Sequence, residues 1–87
     1  MAVVFIPSLL RSLTGGLAQV EVPASSVREL IDALEARYPG MRERLCENGR
    51  LRHSIAVVVD GAVSHQGLRR RLAEDSQVRF MPAMKGG

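Results

Sequence analysis

Aromatic residues are almost missing from this chain. Phe5, Tyr38 and Phe80 are the whole set, and tryptophan is absent. The core must therefore be aliphatic, built from Val, Leu and Ile. A nucleic-acid surface of basic groups interleaved with stacking platforms lacks its platforms. A single cysteine, Cys46, excludes an internal disulfide and gives no reason to propose an oxidising compartment. Lysine is just as scarce: Lys85 is the only one, and the other eleven of the twelve basic residues are arginine. No apolar run approaches the length of a bilayer span. The opening Met1-Ala2-Val3-Val4-Phe5-Ile6-Pro7 has no basic n-region, so no signal peptide is expected. The expected setting is the cytoplasm, with no membrane partner.

What is present points to one small folded domain. The 87 residues are 46% hydrophobic and 24% charged, too apolar for a disordered chain and too few for two cores. A chain of this size buries only about 60% of its unfolded surface. Little core is left to support an elaborate catalytic cleft, which favours a binding module or carrier over an enzyme. The net charge of +3 comes with arginine clusters at Arg42, Arg44, Arg50 and Arg52 and at Arg69, Arg70 and Arg71. Without aromatics beside them, these read as a solvated face or a patch for an acidic protein.

Along the chain, residues 2–6 form a β-branched apolar run stopped by Pro7, a buried strand. Residues 8–14 leave a turn of helix and a loop both open, and Gly15-Gly16 marks a tight reversal. Residues 17–22 then alternate and close a hairpin with the first strand, with Ala18, Val20 and Val22 facing inward. Ser26 and Glu29 have capping-box spacing. Val27, Leu30, Ile31 and Leu34 follow as an apolar stripe, with Glu29, Asp32 and Glu35 on the solvent side. Pro39-Gly40 ends this helix. A further helical turn spans 41–46, and Asn48-Gly49 reverses the chain. Residues 54–59 read as a central strand buried on both faces, followed by an Asp60-Gly61 hairpin and a brief strand at 62–63. Leu68 and Leu72 anchor a polar stretch, and 78–81 form a last strand that Pro82 stops. Two hairpins flanking one helix make an α+β architecture: a mixed sheet of about four to five strands with the helix across one face. This is the β-grasp plan of ubiquitin. The domain occupies 1–81, and 82–87 form a flexible tail.

That tail reads Pro82-Ala83-Met84-Lys85-Gly86-Gly87. Two glycines at the last two positions arise by chance with a probability of about 0.5%. A C-terminal carboxylate is a poor acyl electrophile until another enzyme activates it, as an acyl adenylate for example. Glycine has no Cβ, so it threads a channel too narrow for side chains. Six extended residues reach about 20 Å. Sulfur attacking the activated carbonyl would leave a thiocarboxylate on a mobile tether.

Taken together, these features resemble the MoaD/ThiS family of ubiquitin-like sulfur carriers. The local pieces are Leu10-Arg11 with Leu13-Thr14-Gly15-Gly16, then Val27-Arg28-Glu29-Leu30 with Leu34-Glu35-Ala36-Arg37-Tyr38-Pro39-Gly40. Arg42-Glu43-Arg44-Leu45, Val59-Asp60-Gly61 and Met81-Pro82-Ala83 before Gly86-Gly87 complete the series. The resemblance implies that an E1-like enzyme uses ATP to adenylate Gly87, which becomes a thiocarboxylate. Pro82, Ala83, Met84, Lys85 and Gly86 then thread the partner's channel, and Met81, Arg11 and Pro7 occupy docking positions. It also implies a sulfur-accepting partner: a cysteine-synthase-type enzyme, or a molybdopterin or thiazole synthase, or an enzyme of sulfur-containing secondary metabolites. The stretch Ile6-Pro7-Ser8-Leu9-Leu10-Arg11 is most similar to carriers serving the first of these. A C-terminal protease joins the partners where Gly87 is exposed by processing. The carrier itself binds no cofactor.

Other chemistry has weaker footing. Cys46 falls at an apolar-pattern position, where a buried thiol acts as a small hydrophobe. Cys46, His53 and His65 lack metal-ligand spacing. Glu74-Asp75 reads as a turn. Two other functions stay open: a ubiquitin-like modifier conjugated through Gly87, and a small basic nucleic-acid module using the arginine clusters.

Overall fold

The computed structural model describes residues 1–83. Met84, Lys85, Gly86 and Gly87 lie outside the described residues, and with them the expected reactive end and all of the expected channel-threading segment except Pro82 and Ala83.

Strand β1 (Ala2–Phe5) pairs antiparallel with β2 (Gln19–Val22), as the hairpin pattern predicts. The link between them contains a 3-10 helix over Ser8–Thr14, which resolves the open choice at 8–14. Gly15 and Gly16 take positive φ, and the buried Thr14 hydroxyl donates to the Leu17 carbonyl at 2.8 Å. Ala18 is exposed, contrary to expectation, because it precedes the strand and only Val20 and Val22 point into the core.

Helix α1 (Val27–Arg37) buries the predicted stripe of Val27, Leu30, Ile31 and Leu34. Ser26 caps it, accepting from the Glu29 amide at 3.2 Å. The reciprocal half of the capping box is shifted by one residue: the Glu29 carboxylate accepts from the amide and hydroxyl of Ser25. Ser26 is instead bridged to Arg71, flanked by bonds from Val27 to Arg70 and from Leu72 to Ser25. Glu29 and Asp32 face solvent as expected, whereas Glu35 is half-buried and accepts from the amides of Gly40 and Arg42. A short helix α2 (Met41–Leu45) leads into a small hairpin, β3 (Cys46–Glu47) with β4 (Arg50–Leu51). Asn48 and Gly49 both have positive φ, as a two-residue I′ turn requires.

Strand β5 (Ile55–Val59) turns through Asp60-Gly61 into β6 (Ala62–Ser64), and β7 (Gln77–Pro82) ends the sheet. The order is β2-β1-β7-β5-β6, with β1 and β7 parallel and every other neighbour antiparallel. This is the five-stranded mixed sheet of the β-grasp plan. Three expectations need correction. The middle strand is β7, not β5, which sits next to the edge. Nor is β5 buried on both faces: Val57 and Val59 are buried in the core while Ala56 and Val58 are half-buried on the open face. Pro82 does not stop the last strand either. It pairs with Ile55, and the Ala83 amide donates to the Ser54 carbonyl at 2.8 Å. A proline is tolerated there because its nitrogen faces the β1 side of β7, where pairing with β1 ends at Arg79 and no ladder partner is lost. The core is aliphatic apart from Phe80 and Met41.

Candidate functional site

The sheet delivers the end of β7 to one corner of the molecule. There β7 runs out beside the end of β1, the 3-10 helix and α2. Together they enclose an apolar groove of about 260 Å³ lined by Pro7, Leu9, Leu45, Ile55, Met81 and Pro82. Leu45 is buried and forms its floor, while Met81 is 48% exposed and Leu9 88% exposed on its rim. The 3-10 helix explains that contrast, because its turn directs Leu10 into the core and leaves the adjacent Leu9 in solvent. Arg44 also lines the groove, a cation beside apolar surface.

Two of the three expected docking residues, Pro7 and Met81, are brought together here. Arg11 is not in the lining; its Nε donates to the Ile6 carbonyl at 3.0 Å and braces the chain just before Pro7. Leu9, Arg44, Leu45 and Ile55 are groove residues that sequence reading missed. Only Leu9 left a signal, as the odd member of a Leu9-Leu10 pair in a three-residue period. The open sheet face continues from the groove. There Arg79 lies over the Phe5 ring at 3.8 Å, and Val63 is 55% exposed opposite Val58. An exposed surface that is apolar and rimmed by arginine has the composition of a protein-docking site.

Nothing else among the described residues is arranged for chemistry. Burial pushes the half-buried Cys46 thiol above its ordinary pKa, against the pull of Arg42 and Arg28, so it is a poor nucleophile at neutral pH. No group of three or more His, Cys, Asp or Glu side chains able to hold a metal occurs among the described residues. No helix among them is long and apolar enough to cross a membrane. Part of the first arginine cluster serves the fold: Arg42 pairs with Asp32 at 2.7 Å, and Arg52 pairs with Glu47 at 3.1 Å while donating to the Glu43 carbonyl.

Comparison with known proteins supplies what an inert fold cannot. The ThiS family model matches residues 4–87. The chain belongs to the ThiS family. The sulfur carrier protein CysO of Mycobacterium tuberculosis is 35% identical over 97% of this chain and 96% of its own length. Its crystal structure superposes with a TM-score of 0.89, covering 97% of this chain and 100% of that one at 30% identity. A chain of the Amycolatopsis orientalis BexX/CysO complex gives a TM-score of 0.91 at 32% identity, with both chains fully covered. The small archaeal modifier protein 1 of Methanosarcina acetivorans shares the fold (TM-score 0.79, 21% identity, covering 99% of this chain and 95% of that one). This ThiS family member is a ubiquitin-like sulfur carrier of the MoaD/ThiS type, handled by other enzymes as a co-substrate and not itself an enzyme.

Proposed function

We propose that the chain carries sulfur for cysteine biosynthesis as a thiocarboxylate on Gly87. The family match running through Gly87, with full-length similarity to CysO carriers, is the observation that carries this reading. In the first step the Gly87 carboxylate attacks the α-phosphorus of ATP on an E1-like enzyme and pyrophosphate leaves. A sulfur nucleophile then attacks the acyl carbon, AMP departs with its oxygen, and a thiocarboxylate remains. A cysteine-synthase-type enzyme takes the sulfur. Molybdopterin and thiazole synthases are the other acceptors of this chemistry. The cytoplasm is the compartment we assign to it.

The groove of Pro7, Leu9 and Met81 docks these partners, and Met84, Lys85 and Gly86 enter their channels. The Amycolatopsis CysO relative occurs in a complex with BexX, which supports docking to a partner protein. Because Ala83 is tied to Ser54, only the four residues after it are left to extend. Their span is at most about 14 Å, so the partner must seat the groove close to its active site.

The test is incubation with the activating enzyme of the same genome, ATP and sulfide, followed by intact-mass measurement. One oxygen-to-sulfur exchange is expected, and it should disappear when Gly87 is deleted. The exchanged sulfur should then be consumed by the cysteine-synthase-type enzyme. An unchanged mass would overturn the thiocarboxylate route, and consumption only by a molybdopterin or thiazole synthase would overturn the assignment to cysteine.

A further inference from the structure

The two arginine clusters read from the sequence do not form a single stripe. The fold takes one member from each, Arg50 and Arg69, and adds Arg28 from the first turn of α1. The three line an open cleft of about 510 Å³ together with His65, and its apolar lining is limited to Leu51 and Leu68. Each arginine stands on an ordered support. The Asn48-Gly49 turn holds Arg50 at the start of β4, and Arg69 ends the 3-10 turn Gly67–Arg69, against which both β4 and α1 pack.

We propose that this cleft binds a compact, multiply charged phosphate anion. No carboxylate lines it. The adjoining cavity, which shares Arg28, Gly49 and Leu68 with the cleft, is lined by Asp32, Glu35, Glu43 and Glu47. Three of these are engaged elsewhere: Asp32 pairs with Arg42, Glu35 accepts from the Gly40 and Arg42 amides, and Glu47 pairs with Arg52. Among the described residues, Arg28, Arg50 and Arg69 make no ion pair or side-chain hydrogen bond, so their donors face the cleft or solvent unclaimed. Guanidinium forks match phosphate oxygens two at a time, which a lysine cannot do. The rest of the lining narrows the ligand. None of Phe5, Tyr38 and Phe80 is present to stack a base, and the apolar side chains are only the buried Leu68 and the half-buried Leu51. A short phosphate chain, free or as the triphosphate of a nucleotide, fits that chemistry. The cleft shares no lining residue with the groove at the end of β7, so the two sites can be tested apart.

The experiment is an NMR titration at low salt with inorganic triphosphate, with ATP, and with a glutamate-rich peptide. Saturable shifts centred on Arg28, Arg50, His65 and Arg69 are expected with triphosphate. ATP should bind equally well if the phosphate chain alone is read, and tighter ATP binding would identify a nucleotide as the source. The double variant R50A/R69A should bind at least tenfold more weakly, and R50K/R69K, which keeps the charge but not the fork, should lie between. Thermal melts of both should match the parent chain, since Arg50 and Arg69 are exposed. The proposal is overturned by the absence of saturable shifts, by an equal loss in R79A on the opposite sheet face, or by tighter binding of the acidic peptide than of triphosphate.

Discussion

Leu9→Ala separates docking from folding. A leucine fully buried from water gains about 1.5–3 kcal/mol. In the free carrier Leu9 is 88% exposed, so nearly all of that gain is still available to a partner that covers it. Truncation to alanine should then remove about 2 kcal/mol of binding, a ~30-fold rise in Kd. Met81 is 48% exposed, and half of its surface is already covered within the carrier. Met81→Ala should accordingly cost about 1 kcal/mol, or ~5-fold. Stability should move the other way: Leu9→Ala leaves the melt unchanged to within about 0.5 kcal/mol, as for other surface changes. Met81→Ala lowers it by more, because it also removes packing at Ala56 across the ladder. The assay is calorimetric binding to the activating enzyme, alongside thermal melts of each free variant. The reasoning fails if Leu9→Ala binds within twofold of the parent chain, or if Met81→Ala binds more weakly than Leu9→Ala.

Asp60 should be the carboxylate on which the fold most depends. Its two oxygens accept from the buried Ser76 hydroxyl at 3.0 Å and the Gln77 amide at 2.8 Å, at a φ of 51° that alanine adopts with strain. Asp60→Ala should cost about 3 kcal/mol in urea unfolding and Asp60→Asn less, and a loss below about 1 kcal/mol for the alanine variant would refute the assignment. Glu35 gives a pH signature. Bonds from the amides of Arg42 and Gly40, in that order, lower its pKa, so folding favours the ionised form. Its stabilisation is complete above the ordinary carboxylate range and is lost as pH falls through the lowered folded value. The stability gap between the parent chain and Glu35→Gln, measured in urea, should therefore narrow from pH 7 to pH 3; a constant gap would rule this out.

Local chemistry was legible in the sequence and long-range pairing was not. The α1 stripe and the Asn48-Gly49 and Asp60-Gly61 turns all appear as read, because each depends on residues within a few positions of one another. The place of β7 depends on a parallel pairing with β1 about seventy-five residues away, and parallel neighbours leave no turn signal between them. The aliphatic run of β5 was misread for a related reason. An unbroken Val-rich segment is expected under two covering layers, yet here Val58 and Ala56 are half-buried on the face opposite the core. The capping box shifted because Ser26 and its neighbours were recruited into a bridge with Arg71, a contact forty-five residues distant.

The candidate site divides along the same line. Pro7 and Met81 were legible only through the family resemblance, which places them at docking positions, whereas Leu45 and Ile55 reach the groove only through the packing of α2 and β5 against that corner. The fold also corrects the tether. Reading Pro82 as the end of the sheet gave six residues of reach, but a proline ending a strand still allows the next amide to bond, and Ala83 does so to Ser54. A reach of about 14 Å instead of 20 Å makes docking and delivery a single geometric problem. On the proposed function, four residues of that length bring Gly87 to an active site only when the groove is already seated, so partner choice would rest on the groove and the chemistry on Gly87. On that reading so small an aliphatic core suffices: it would have only to hold Leu9, Met81 and Ala83 in fixed relation, with the partner supplying the catalytic groups.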